Sequence, residues 1–284
     1  MKKIFLNVNN QLRSGWKISL VLTTQITMIS VIYVILTFML GDAPIFLIMG
    51  ILQSIINITI VLFMWKVFDK KPYSFIGITS IKEGYKQLII GMFMGIISIS
   101  FVFVILLMMG DIKLENSLIE PNINPSIVYY FVLFIFVGIS EELFSRGYCM
   151  TVLKQTNKRW IVLLLPAFVF SVLHINNPNI EFIGLLNIFL IGLLFAYMFI
   201  RTCSIWMPIG YHITWNFFQG NVYGFEVSGL EVESIYNGKL VTSNLLNGGL
   251  FGPEGGLLVT GIIILGFISV YIITGGGRKS EFFY

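Results

Sequence analysis

Long apolar runs alternate with short polar segments along the whole chain, and the runs have the length of membrane spans rather than of core strands. A spanning helix needs about 20 mostly apolar residues. Seven segments meet or approach that length: Ile18–Leu40, Pro44–Phe68, Leu88–Met109, Ile127–Leu153, Trp160–His174, Phe182–Ile200 and Leu257–Thr274. An eighth, Ser204–Gln219, is shorter and more polar, with Met207-Pro208 near its start and Gly220 at its end. The pattern predicts an all-α, polytopic membrane protein, a bundle of eight transmembrane helices.

The basic residues support the eighth span. With eight helices and a cytoplasmic N-terminus, only Lys113 and Lys239 fall in outer segments and only Arg146 is intramembrane, Lys66 lying at the inner end of its span. The other fifteen of the 18 Lys and Arg residues fall inside. Positive residues favour cytoplasmic loops, and removing Ser204–Gln219 would place Arg278 and Lys279 outside. The predicted location is a cell membrane, multi-pass, with both termini cytoplasmic. Near the start, Asn7, Asn9, Asn10, Gln11 and Arg13 interrupt the place where a signal peptide would have its apolar core, so the first segment is read as a retained helix.

Four regions follow. Residues 1–126 hold the first three spans, with Gly41-Asp42 and Gly110-Asp111 as turns at helix ends. Residues 127–220 form a core of helices four to seven, 221–256 an extracytoplasmic loop, and 257–284 the last span and a basic tail. The loop is rich in Gly and Asn and is expected to be a solvated connection rather than a lid. Composition agrees with a membrane protein: 56% of residues are hydrophobic and 11% charged, with mean hydropathy +0.88 over 284 residues. Soluble domains carry about 25% charged residues. Nothing points to nucleic acid as a partner; the bilayer and a peptide do. Cys149 and Cys203 suggest neither a disulfide nor a zinc-thiolate site.

Against that apolar background three polar motifs stand out: Glu141-Glu142-Leu-Phe-Ser-Arg146, Phe170-Ser-Val-Leu-His174 and His212-Ile-Thr-Trp-Asn216. They contain both histidines of the chain. Ionisable groups inside a bilayer are costly and imply function by default. Helical spacing pairs Glu142 with Arg146 on one face and turns Glu141 about 100° away, leaving Glu141 as the carboxylate free to act. Counted from the basic flanks, Glu141, His174 and His212 fall about 19, 21 and 15 Å deep, a similar level on three separate helices. Asn216 lies one turn beyond His212.

Such a set suits amide hydrolysis in two ways. Without a metal, Glu141 and His174 deprotonate water while His212 and Asn216 stabilise the oxyanion. With a metal, Glu141, His174 and His212 bind zinc and the fourth position holds the water. The sequence does not separate the two, although the HExxH arrangement of common zinc proteases is absent. Gly138-Ile-Ser140 offers a superficial GxS serine-nucleophile motif, and GxGD is missing.

The motifs EExxxR, FxxxH and HxxxN, in this order on successive apolar segments, resemble those of the CAAX protease and bacteriocin-processing family, also called the Abi family. That family includes the Ras-converting CAAX prenyl endopeptidases. The resemblance covers Ile127 to Gln219. It implies an eight-helix intramembrane endopeptidase with a site inside the bundle that opens towards the cytosol. Carried over, Glu141 and His174 activate water, His212 and Asn216 hold the oxyanion, and Glu142 and Arg146 support the site. The substrate is a peptide or protein, membrane-anchored in some members. Eukaryotic members trim prenylated tails, and bacterial members are linked to bacteriocin processing, self-immunity or partner recruitment. Two other readings stand beside the enzyme: a non-catalytic immunity or scaffold protein that keeps the fold, and a transporter using the buried charges as a proton relay.

Overall fold

A computed structural model describes residues 2–7, 9–40, 46–117, 119–276 and 282. The turn at Gly41-Asp42, the start of the second segment at Pro44 and the tail residues Arg278 and Lys279 lie outside the described residues. Among the described residues, eight helices of at least twelve residues follow one another. They are α1 (Ser14–Leu40), α2 (Phe46–Phe68), α3 (Ile81–Met109), α4 (Ser126–Glu142), α5 (Arg159–Leu173), α6 (Phe182–Thr202), α7 (Trp206–Phe217) and α8 (Leu257–Ile273). Five helical runs are long and apolar enough to cross a membrane: Ser14–Met39, Leu47–Phe68, Tyr73–Met109, Ser126–Thr156 and Phe182–Thr202. The chain is a multi-pass membrane protein. Helices α5 and α8 are apolar but shorter, and α7, with twelve residues, is too short to count as a span by length.

Helix α3 begins seven residues before the apolar run does. The Glu83 carboxylate accepts a hydrogen bond from the Ser80 backbone N–H at 3.3 Å, so a capping interaction starts the helix in a polar stretch. Helix α4 ends at Glu142 and continues as a π-helical stretch, Leu143–Cys149, before a short α-helical turn, Met150–Leu153. A second π-helical turn, Phe218–Val222, follows α7. Such turns often accompany functional sites. The apolar pattern of residues 127–153 carries no trace of the first one.

The centre of the bundle is the α3–α7 seam, where backbones meet through glycine. A Cβ on Gly91 would lie 2.0 Å from the Met207 carbonyl oxygen, and one on Gly210 would lie 2.2 Å from that of Leu88. Small residues permit this approach, and polar side chains secure it. Here Thr214 Oγ1 bonds the Met92 carbonyl at 2.9 Å, across the seam. Every residue from Met207 to Asn216 is buried, so α7 is surrounded by protein. A short, polar helix is stable there because its neighbours, rather than lipid, meet its side chains.

The all-α expectation has one small exception. Strands β1 (Ile112–Leu114) and β2 (Gly238–Leu240) pair antiparallel, with Lys113 opposite Lys239. They anchor the segment 221–256, which is folded against the bundle rather than solvated. Asn221, Asn247 and Phe251 are buried within it. Gly229, at φ +81°, sits where a Cβ would come within 2.1 Å of the Pro178 carbonyl oxygen, so only glycine fits this contact with the α5–α6 turn.

Candidate active site

Two close packings bring the motif residues together. A Cβ on Gly138 of α4 would fall 2.8 Å from Ile213 Cγ1 of α7. One helical turn further along α4 are Glu141 and Glu142, level with His212. Helix α6 approaches from the other side, and Arg146 Nη2 donates to its Gly192 carbonyl at 3.3 Å.

Glu142 has no exposed surface and organises the buried half of the site. Its Oε1 accepts from Arg146 Nη1 at 3.0 Å and also meets His212 Nδ1 at 3.0 Å. The predicted Glu142–Arg146 pair is present, and the bond to His212 is an addition that sequence spacing does not reveal. The Arg146 guanidinium lies over the Phe170 and Phe195 rings, 4.5 and 5.1 Å from their centroids. A planar cation between aromatic faces is held electrostatically as well as by its hydrogen bonds.

These bonds fix the roles of the imidazole nitrogens. A carboxylate can only accept, so His212 Nδ1 carries the hydrogen and Nε2 is the atom left for the cavity. That Nε2 is 3.8 Å from Glu141 Oε2, whose side chain is 32% exposed. Glu141 is therefore the accessible carboxylate of the pair, as its angular offset from Glu142 predicts. His174 follows the last residue of α5, and its Nδ1 meets the Phe170 carbonyl at 2.8 Å. By the same argument its hydrogen sits on Nδ1 and the Nε2 lone pair is available.

Glu141, His174, His212 and Asn216 all line one cavity of about 450 Å³, and Glu142 and Arg146 pack behind it. Ser140 also reaches the cavity, but its hydroxyl bonds the Val137 carbonyl at 3.1 Å, an ordinary helical back-bond without a base. Among the described residues, no three His, Cys, Asp or Glu side chains converge on a point that could hold a metal ion. Glu141, His174 and His212 thus do not fit the zinc alternative in this arrangement.

Sequence reasoning missed the residues that close the cavity from the loop side. Val227, Ser228, Leu230 and Glu254 line it. Glu254 accepts from Trp215 Nε1 at 3.3 Å and from the Ser228 N–H and hydroxyl, both at 2.8 Å. Asn187, a polar residue within apolar α6, donates to the carbonyls of Glu254 and Gly256 at 2.8 and 2.9 Å. Its Oδ1 accepts from Thr260 Oγ1 at 2.6 Å. An amide inside an otherwise apolar run was the available signal.

Residues 123–218 match the family model of the Type II CAAX prenyl endopeptidase Rce1-like proteins. No curated protein matches the chain. The matched stretch contains all three motifs, and it bears out the resemblance to the CAAX protease and bacteriocin-processing family over this core.

Proposed function

We propose that the protein is an intramembrane endopeptidase of the CAAX protease type, with eight spans, cytoplasmic termini and its active site inside the bundle. The observation that carries this reading is the shared cavity, in which a partly exposed Glu141 carboxylate faces His212 Nε2 at 3.8 Å beside His174 and Asn216. Three separate helical segments supply these groups.

In the proposed reaction Glu141, assisted by the His174 Nε2 lone pair, takes a proton from water as the oxygen attacks the scissile carbonyl. The carbonyl π-electrons move to oxygen, giving a tetrahedral oxyanion. His212 and Asn216 then receive that charge, Asn216 through its amide N–H. To donate from Nε2 while Nδ1 stays bonded to Glu142, His212 must hold both ring protons. The Glu142–Arg146 pair keeps the ring in that orientation. Collapse expels the amine, which leaves with the proton that Glu141 holds. Products are a carboxylic acid and an amine, which become carboxylate and ammonium when the acid proton passes to the amine, with one water consumed.

The substrate is a peptide or membrane-associated protein. Purified protein in detergent, incubated with a quenched peptide set, should release fragments whose masses sum to substrate plus one water. The rate should be unchanged by a chelator. A chelator-sensitive rate would restore a metal-dependent reading. Partner binding or immunity that survives both Glu141→Gln and His174→Ala, without cleavage by the wild type, would favour the non-catalytic scaffold.

A further inference from the structure

Helices α1 and α2 carry no motif, yet both line the cavity. Each contributes four residues at i, i+3, i+4 and i+7: Leu22, Gln25, Ile26 and Ile29 from α1, and Gly50, Gln53, Ser54 and Asn57 from α2. That spacing marks one face of a helix. The faces differ in chemistry, since the α1 face is apolar around a single amide and the α2 face has only small and polar residues.

Amides within a membrane span are costly unless paired. Ser54 is satisfied internally, its hydroxyl bonding the Gly50 carbonyl at 2.9 Å. Gln25 and Asn57 are not. Gln25 is 6% exposed and its Nε2 has no protein acceptor, while Asn57 Oδ1 is buried without a donor. One group lacks an acceptor and the other lacks a donor.

Both lie at the level of Glu141. Helices α2 and α4 meet where a Cβ on Gly50 would fall 2.6 Å from Leu133 Cδ1. With α3 crossing between them in sequence, α2 and α4 run the same way. From that contact, seven residues along α2 reach Asn57 and eight along α4 reach Glu141, about 10 and 12 Å. Helix α1 runs antiparallel to α2, and the Lys17–Asp69 ion pair ties their ends together. Gln25 is eleven residues from the Ser14 end, as Asn57 is from the Phe68 end, about 17 Å in each case.

We propose that Gln25 and Asn57 form a subsite for the backbone of an extended peptide. Gln25 donates to a substrate carbonyl, Asn57 accepts from a substrate N–H, and Leu22, Ile26 and Ile29 hold an apolar side chain of the same peptide. The subsite rests on the reading of this cavity as a peptidase site, and it adds backbone recognition to it. An extended peptide offers the missing acceptor and the missing donor. An acyl chain offers neither, and a phosphate headgroup offers acceptors only.

The test uses the purified full chain and a set of quenched octapeptides rich in Leu and Phe, each also made with single backbone ester links that remove one N–H. Gln25→Met and Asn57→Leu should each raise KM about fivefold with kcat within about twofold, the size of one neutral hydrogen bond. An ester at one position should cost the wild type a similar factor and cost Asn57→Leu nothing. Unchanged KM in both amide variants, or an ester penalty that persists in Asn57→Leu, overturns the subsite. If the wild type cleaves no peptide, anisotropy of the same octapeptides carrying fluorescein decides. Binding that weakens in Gln25→Met supports the subsite and overturns the peptidase reading; binding that does not weaken overturns the subsite, and no binding overturns both.

Discussion

Helices α1 and α7 are the extremes of this molecule. The 27 residues of α1 are apolar nearly all round, and many of its large side chains, such as Val34 at 65% exposed, face outward. The twelve residues of α7 include His212, Thr214 and Asn216, and from Met207 onward to Asn216 all are buried. Hydropathy detects the first easily because lipid selects for apolar surface. It barely detects the second, whose environment is protein and whose side chains are chosen for hydrogen bonds and close backbone contact. In this protein the helix with the weaker hydropathy signal carries His212 and Asn216, which line the cavity.

That contrast can be broken by mutation, and the effects should grade from the buried network outward. Glu142→Gln leaves the Arg146 cation buried without its anion and weakens the hold on His212. Breaking a buried pair from one side costs about 3–5 kcal/mol. A fall in thermal midpoint together with lost cleavage is expected, and Glu142→Gln combined with Arg146→Met should recover stability without recovering activity. If the single variant melts like wild type, the pair has no structural role.

Gly210→Ala pushes a methyl group towards the Leu88 carbonyl, 2.2 Å from the Cβ position. Overpacking of this kind costs about 1–3 kcal/mol, and it should appear as a lower midpoint in detergent. A midpoint equal to wild type would mean that the α3–α7 seam is looser than described. Thr214→Val removes the hydrogen bond to Met92 and should cost only about 0.6 kcal/mol, the typical size of such bonds between spans. At the other extreme, Val34→Ala on α1 should stay within about 0.5 kcal/mol of wild type. A larger loss there than at Thr214 would reverse the comparison.

Much of the bundle was legible in the sequence, because span length is set by the bilayer. The expected segment Trp160–His174 corresponds to α5, Arg159–Leu173, and Ser204–Gln219 to α7, Trp206–Phe217. The start of α3 was not legible from apolarity, since Ser80 and Glu83 set it. The π-helical stretch after Glu142 escaped because no side-chain pattern marks an extra residue in a turn. The fold of 221–256 escaped because Gly and Asn read as solvent-exposed until their tertiary partners are known. In the site, angular offset separated the positions of Glu141 and Glu142: the first lines the cavity and the second pairs with Arg146. The Glu142–His212 bond was hidden because it depends on Gly138 meeting Ile213 across two helices. Gln25 and Asn57 belong to no motif, and the apolar runs around them do not distinguish a cavity-facing amide from a lipid-facing one.

The most direct measurement compares wild type with Glu141→Gln on one cleaved peptide, at matched folded fraction. Loss of a general base slows catalysis by about 10²–10⁴-fold, and the account predicts a fall in kcat of that order with the thermal midpoint retained. Rates within about twofold of each other would contradict it, because the water would then be activated by some group other than the carboxylate facing His212.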